Sequence, residues 1–137
     1  MSQPLRVGAI LPTRTYRVTR ADLVRYAGVS GDLNPIHWSD RMATSIGLPG
    51  VIAHGMLTMA FAGRAVTDWV ADPAAVEEYG VRFSKPVVVP DDDTGTEVTV
   101  DGVVKRELED GRVQVDLTVR SGGVKVLGQA RAIVRTS

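Results

Sequence analysis

The chain contains no cysteine. That excludes a disulfide framework, a thiolate metal site and a cysteine nucleophile together. It has no surplus of either charge: 16 basic and 16 acidic side chains give a formal net charge of +0. A nucleic-acid binder usually carries a basic excess, so none is expected. The opening Met1-Ser2-Gln3-Pro4-Leu5-Arg6 lacks the apolar core of a secretion signal, which makes the cytoplasm the expected location. The one long apolar run, Val51 to Val70, contains His54, Arg64 and Asp68. Charges are costly at bilayer depth, so the run reads as a buried helix and no membrane association is expected.

What is present suits a single domain over residues 1–137. The chain is 44% apolar and 23% charged, an ordinary globular balance that is long enough to bury a core. No internal repeat, linker or low-complexity tract divides it.

Along the chain, residues 1–14 read as an extended lead-in broken by Pro4 and Pro12. Thr15–Thr19 alternates like a strand. Thr19 with Asp22 resembles a helix N-cap, and Gly28 is the expected stop of that helix. Ser39 caps a second short helix carrying Met42, Ala43 and Ile46, stopped by Gly47. The main helix runs from His54 or Gly55 to about Ala71, roughly 25 Å. It is apolar nearly all round, which predicts burial on every side. Asp72-Pro73 ends it. Strand-like segments follow at Gly80–Ser84, Lys85–Pro90, Glu97–Lys105, Val113–Arg120 and Val124–Val134. Between them, Asp91–Asp93 reads as a solvated turn, and Glu109-Asp110-Gly111 and Ser121-Gly122-Gly123 as hairpin turns. Helices first and antiparallel strands after give an α+β protein, a sheet packed on one helix.

The chemistry concentrates in Gly31-Asp32-Leu33-Asn34-Pro35-Ile36-His37. Pro35 fixes its own φ and disfavours helix at Asn34, so the segment is a rigid irregular turn. Such a turn can aim Asp32 and His37 at one point, where an imidazole and a carboxylate transfer protons near neutral pH.

This string, preceded by Tyr26-Ala27-Gly28-Val29-Ser30 and followed by Ile52-Ala53-His54-Gly55-Met56-Leu57, resembles the MaoC-like (R)-specific hydratase/dehydratase family. The likeness extends over most of the chain, including Val81–Val87. Within the family it is similar to the catalytic subunits of heterodimeric (3R)-hydroxyacyl-ACP dehydratases. The resemblance implies a hotdog fold, a curled antiparallel sheet around one long helix. It implies a homodimer, or a heterodimer with another hotdog subunit, with the acyl chain near the interface. The implied reaction adds water to a trans-2-enoyl thioester on CoA or acyl carrier protein, giving the (3R)-3-hydroxyacyl thioester, or reverses this. Asp32 and His37 are the implied acid/base pair.

Gly55, and with it Met56, is the expected oxyanion site. A helix starting there leaves its first amides unpaired, its dipole favours negative charge, and glycine allows close approach. The substrate brings its own carrier, so no metal or redox cofactor is required. Asn34 is expected to brace the loop or the thioester, and Thr58 to touch ligand or simply pack. Arg82 and Lys85 either meet carrier phosphates or stand as solvated strand ends. His54 is expected to be structural, and the Met56/Met59 pair to line the core or an acyl tunnel. Two other readings are a subunit that shapes a partner's acyl pocket and a hotdog thioesterase. The thioesterase would want a carboxylate on the long helix, which offers only Asp68, far from its start.

Overall fold

A computed structural model describes residues 5–136. Pro4, read above as a breaker, lies outside them. Strand β1 (Ile10–Val18) leads into helix α1 (Arg20–Ser30), the short helix α2 (Asp40–Ser45) and the long helix α3 (Gly55–Val70). Strands β2 (Val76–Phe83), β3 (Thr96–Leu108), β4 (Arg112–Ser121) and β5 (Val124–Arg135) complete the chain. They form one antiparallel sheet in the order β1-β3-β4-β5-β2. The expected α+β hotdog arrangement is present.

Alternation in β4 assigns the two faces. Val113, Val115, Leu117 and Val119 point inward and are buried, while Arg120 is exposed. Opposite them lie Ala62, Ala65, Val66 and Trp69 of α3, at most 3% exposed. Burying a side chain of the Val or Leu class stabilises by about 1.5–3 kcal/mol, so this helix–sheet contact holds the fold together. Trp69 is further anchored by its Nε1–H, which donates to the Pro12 carbonyl (2.7 Å).

Four local expectations are corrected. β1 begins at Ile10, inside the supposed lead-in, because residues 10–18 pair with β3. Gly28 does not stop α1; the helix continues to Ser30, and Gly31 ends it in the left-handed region (φ 77°), its N–H on the Ala27 carbonyl. Glycine takes that conformation without a Cβ clash. Within 85–90, only Val88 pairs, in an isolated bridge with Ile52; Pro86 and Pro90 deny the ladder two donors. Finally, α3 is not buried all round. Thr58, Ala62, Ala65, Val66 and Trp69 form one buried face, while Met56 and Ala60 are exposed and Leu57 and Phe61 half-buried.

The caps hold where turn chemistry is local. Thr19 and Asp22 form a capping box on α1, and the Ser39 hydroxyl accepts from Met42 N–H at the start of α2.

A clamp then ties these helices to the segment before α3. The Arg20 Nε–H donates to the Val89 carbonyl, and its Nη2 pairs with both Asp40 carboxylate oxygens at 2.9 and 3.0 Å. Asp40 Oδ1 also accepts from Val51 N–H (2.9 Å). That amide bond, followed by the Arg20 guanidinium, holds the Asp40 carboxyl below its ordinary range.

Candidate active site

The turn after α1 is built from its own side chains. Ser30 Oγ accepts from Asp32 N–H, Asp32 Oδ1 from Asn34 N–H, and Asn34 Oδ1 from Ile36 N–H. Asn and Asp favour such Asx-type turns, which mimic a backbone turn. Asn34 thus caps the 3-10 turn at Pro35–His37 and braces the loop.

His37 enters the protein while Asp32 stays at the surface; their side chains are 7% and 50% exposed. The His37 Nδ1–H donates to the Ile52 carbonyl (2.7 Å). A carbonyl can only accept, so the proton sits on Nδ1 and the Nε2 lone pair is free in the neutral ring. That Nε2 lies 3.7 Å from Asp32 Oδ2. Two acceptors at this spacing leave a place for one donor with two hydrogens between them. A water oxygen can sit about 2.8 Å from each.

His54 lies beneath the pair, 1% exposed. Its ring stacks on His37 with centroids 3.8 Å apart and planes at 23°, and Tyr26 meets it edge-on at 4.8 Å. Its Nε2–H donates to the Asp32 main-chain carbonyl (3.1 Å). Nδ1 is buried and has no partner among the described residues. Burial is the main cause that pushes the His54 pKa down, so a neutral ring supports the loop.

Asp32, His37 and His54 each offer a ligand-type atom within 4.8 Å of the others. Main-chain carbonyls already occupy His37 Nδ1 and His54 Nε2. Only His37 Nε2, the orphaned His54 Nδ1 and the carboxylate remain for a cation. Facing acceptors of this kind can exchange protons with a water held between them.

Two cavities meet at the start of α3. One, about 420 Å³, is walled by Ile36, Leu48, Ile52, Val87 and Leu127 and opens to His37. The other, about 340 Å³, holds Tyr26, Ser30, Asp32, His54 and Met56. Gly55 and Phe83 line both. α3 starts at Gly55, and His54 gives it no side-chain cap. The first intrahelical bonds come from Leu57 and Thr58 N–H to the His54 carbonyl, so the Gly55 and Met56 amides have no helical partner.

Of the remaining candidates, Thr58 and Lys85 line the 420 Å³ cavity, Thr58 as a buried residue. Arg82 is not brought to either cavity. It lines a groove on the outer face of the sheet with Asp116 and Arg131, because neighbouring residues of a strand point to opposite faces and Phe83 is the one of the two that reaches the cavities. Met59 lines neither cavity; its carbonyl accepts from the Tyr79 hydroxyl. Asp68 is at the far end of α3, where it accepts from the Tyr16 hydroxyl (3.3 Å). Sequence reasoning missed Phe83 and the Ile52 carbonyl. Phe83 was hidden in plain strand alternation, and a main-chain acceptor leaves no mark in a side-chain pattern.

The MaoC like domain model matches residues 6–121. The 3-hydroxyacyl-thioester dehydratase X of Mycobacterium tuberculosis is 46% identical over 79 residues, 58% of this chain and 27% of that protein. The (R)-specific enoyl-CoA hydratase of Rhodospirillum rubrum is 31% identical over 118 residues, 85% of this chain and 80% of that one. A solved MaoC-like dehydratase superposes with a TM-score of 0.92 at 42% identity, covering 96% of this chain and 41% of its own. This chain therefore spans well under half the length of two of these proteins. Motif, site and matched domain agree, and the chain belongs to the MaoC-like domain family.

Proposed function

We propose that the protein is a hydro-lyase that interconverts trans-2-enoyl and (3R)-3-hydroxyacyl thioesters. The observation that carries this reading is the free Nε2 of His37 facing the Asp32 carboxylate across 3.7 Å, beside the unpaired first amides of α3. A water bridging the two acceptors donates one hydrogen to each. As its oxygen attacks carbon 3, one of the pair takes its proton, and the pair then returns that proton to carbon 2. Electrons move onto the thioester oxygen meanwhile, and the Gly55 amide, with the Met56 amide behind it, stabilises that oxygen. Such a donor is worth about 3 kcal/mol in the transition state. Dehydration runs the same steps backwards. The largely apolar 420 Å³ cavity beside His37 suits the acyl tail. Lys85 at its wall suits a phosphate of the carrier, CoA or acyl carrier protein, and Thr58 contacts the acyl group. The nearly full-length relative bearing the name (R)-specific enoyl-CoA hydratase supports the reaction class. A cytoplasmic role in fatty-acid metabolism fits such a substrate; among the described residues no helix is long and apolar enough to cross a membrane.

The test is hydration of crotonyl-CoA, followed as loss of enoyl thioester absorbance, in wild type, Asp32→Asn and His37→Ala. Activity in wild type and losses of about 10²-fold or more in both variants are expected. A variant within tenfold of wild type removes that residue from the pair.

Two observations favour a second reading, that the chain works as half of a two-domain or heterodimeric unit. It covers 27% and 41% of two longer relatives, and α3 leaves Met56 and Ala60 exposed. Activity restored only by adding another hotdog subunit is the outcome that selects it; turnover by a homodimer selects the first.

A further inference from the structure

Thr58 carries a hydroxyl that the fold does not use. The residue is 4% exposed. Its Oγ1 has no hydrogen-bond partner among the described residues, and it is not sealed off from open space. It therefore faces the 420 Å³ cavity that Thr58 lines. A helical threonine commonly turns its hydroxyl back to the carbonyl four residues before it. Here that carbonyl, on His54, already accepts from the amides of Leu57 (3.0 Å) and Thr58 (3.2 Å). A carbonyl oxygen has two lone pairs, so the local acceptor is taken.

The hydroxyl also stands at the inner end of the cavity. The buried face of α3 runs through Thr58, Ala62, Ala65, Val66 and Trp69. Of these only Thr58 reaches the cavity, beside Gly55; Ala62, next along that face, is 0% exposed. Thr58 lies about 4.5 Å along the helix axis from Gly55. A thioester oxygen on the Gly55 amide sits about 2.9 Å in front of it. A four-carbon acyl group held there ends short of the Thr58 hydroxyl, and a six-carbon group reaches it.

We infer that Thr58 limits the length of the acyl group: its hydroxyl is a polar stop that admits a four-carbon tail and disfavours unsubstituted tails of six carbons or more. This rests on the proposed acyl-thioester chemistry, with Gly55 holding the thioester oxygen. While the inner end is open, water can satisfy the hydroxyl, and a short tail leaves that water in place. A longer tail lays methylene groups across Oγ1. They offer no hydrogen bond, so the hydroxyl is left buried and unpaired. The walls at Ile36, Leu48, Ile52, Val87 and Leu127 are apolar and oppose no such tail.

The experiment measures dissociation constants of butyryl-CoA and hexanoyl-CoA, neither of which can be hydrated, by calorimetry. Wild type is compared with Thr58→Val, which keeps the shape and loses the hydroxyl, and Thr58→Ser, which keeps the hydroxyl. Melting temperatures check the fold, and crotonyl-CoA turnover by wild type is measured alongside. Two buried methylenes ordinarily gain about tenfold in affinity. Wild type and Thr58→Ser are expected to fall well short of that gain, and Thr58→Val to recover it while melting no lower than wild type. If Thr58→Val does not fold, Thr58→Ala against Thr58→Ser makes the same comparison. A gain in the variant lacking the hydroxyl that is less than threefold above the wild-type gain overturns the inference. So does a Thr58→Ser gain as large as that of Thr58→Val, or failure of wild type to bind either ligand. Turnover of crotonyl-CoA with no such difference removes the polar stop and leaves the hydro-lyase reading. The expected difference without turnover removes the hydro-lyase reading and leaves the polar stop.

Discussion

Replacing Gly55 by alanine separates the two jobs of the α3 start. The added Cβ falls 3.1 Å from Phe83 Cε1, several tenths of an ångström inside ordinary carbon–carbon contact. Phe83 is 57% exposed, so the ring yields sideways at modest cost. Against that cost, alanine is the better helix residue by up to about 1 kcal/mol. The two effects nearly cancel, and the melting temperature should move by less than about 5 °C. The effect on turnover is larger. The new methyl stands beside the amide of its own residue, where the proposed mechanism puts the thioester oxygen. Loss of one oxyanion donor corresponds to about 2.7–4 kcal/mol, or a 10²- to 10³-fold fall in kcat. Crotonyl-CoA hydration and a thermal melt on the same preparation give both numbers. The double variant Gly55→Ala/Phe83→Ala is the control. It relieves the ring contact and leaves the methyl over the amide, so kcat should stay low. A Gly55→Ala enzyme with normal melting and kcat within tenfold of wild type refutes the oxyanion assignment. Recovery of kcat in the double variant shows instead that the displaced ring was the obstacle.

Three further predictions concern the frame. Gly102 faces the Trp69 indole, and a Cβ there would sit 2.6 Å from Cη2 of a ring that is 3% exposed; Gly102→Ala should therefore cost roughly 1–3 kcal/mol, read as a lower urea midpoint by tryptophan fluorescence. Gly31→Ala forces a Cβ into φ 77° and should cost about 1–2 kcal/mol, with Gly31→Asn milder in the same melt. The His54 pKa is lowered by burial, so the unfolded chain takes up that proton at a higher pH than the folded one. Its contribution is complete above about pH 6.5 and is lost as pH falls. The drop in urea midpoint between pH 7.5 and 5.5 should shrink in His54→Gln, and an unchanged drop contradicts the assignment.

What could be read from the sequence was local. The Asp32–His37 turn declares itself because its bonds run between residues two apart, within one stretch of letters. The same holds for the capping box at Thr19 and the hairpins after β3 and β4. Gly28 misled because a glycine alone does not reveal its φ; Gly31, three residues on, has the positive φ that ends α1. The apolar circumference of α3 was legible, but composition does not say which face meets the sheet, and one side remains open. Arg82 and Lys85 looked equivalent as strand-end cations. Strand parity sends Arg82 to the outer groove, while the chain leaving β2 carries Lys85 to the cavity. The contact of Phe83 with Gly55 depends on residues 28 apart in the chain and had no sequence signal at all.

The Arg20 clamp makes the motion of the site cooperative. One guanidinium joins the start of α1, the Val89 main chain and Asp40, and Asp40 in turn holds Val51. Ile52, the next residue, supplies the carbonyl that fixes the His37 tautomer. The hydrogen-bonded route from Arg20 to the His37 imidazole therefore contains no slack residue. Local unfolding that frees Val51 releases the His37 proton from its acceptor in the same event. Amide exchange at Val51 and catalytic competence should then report one opening equilibrium, set by a side chain that never meets the substrate.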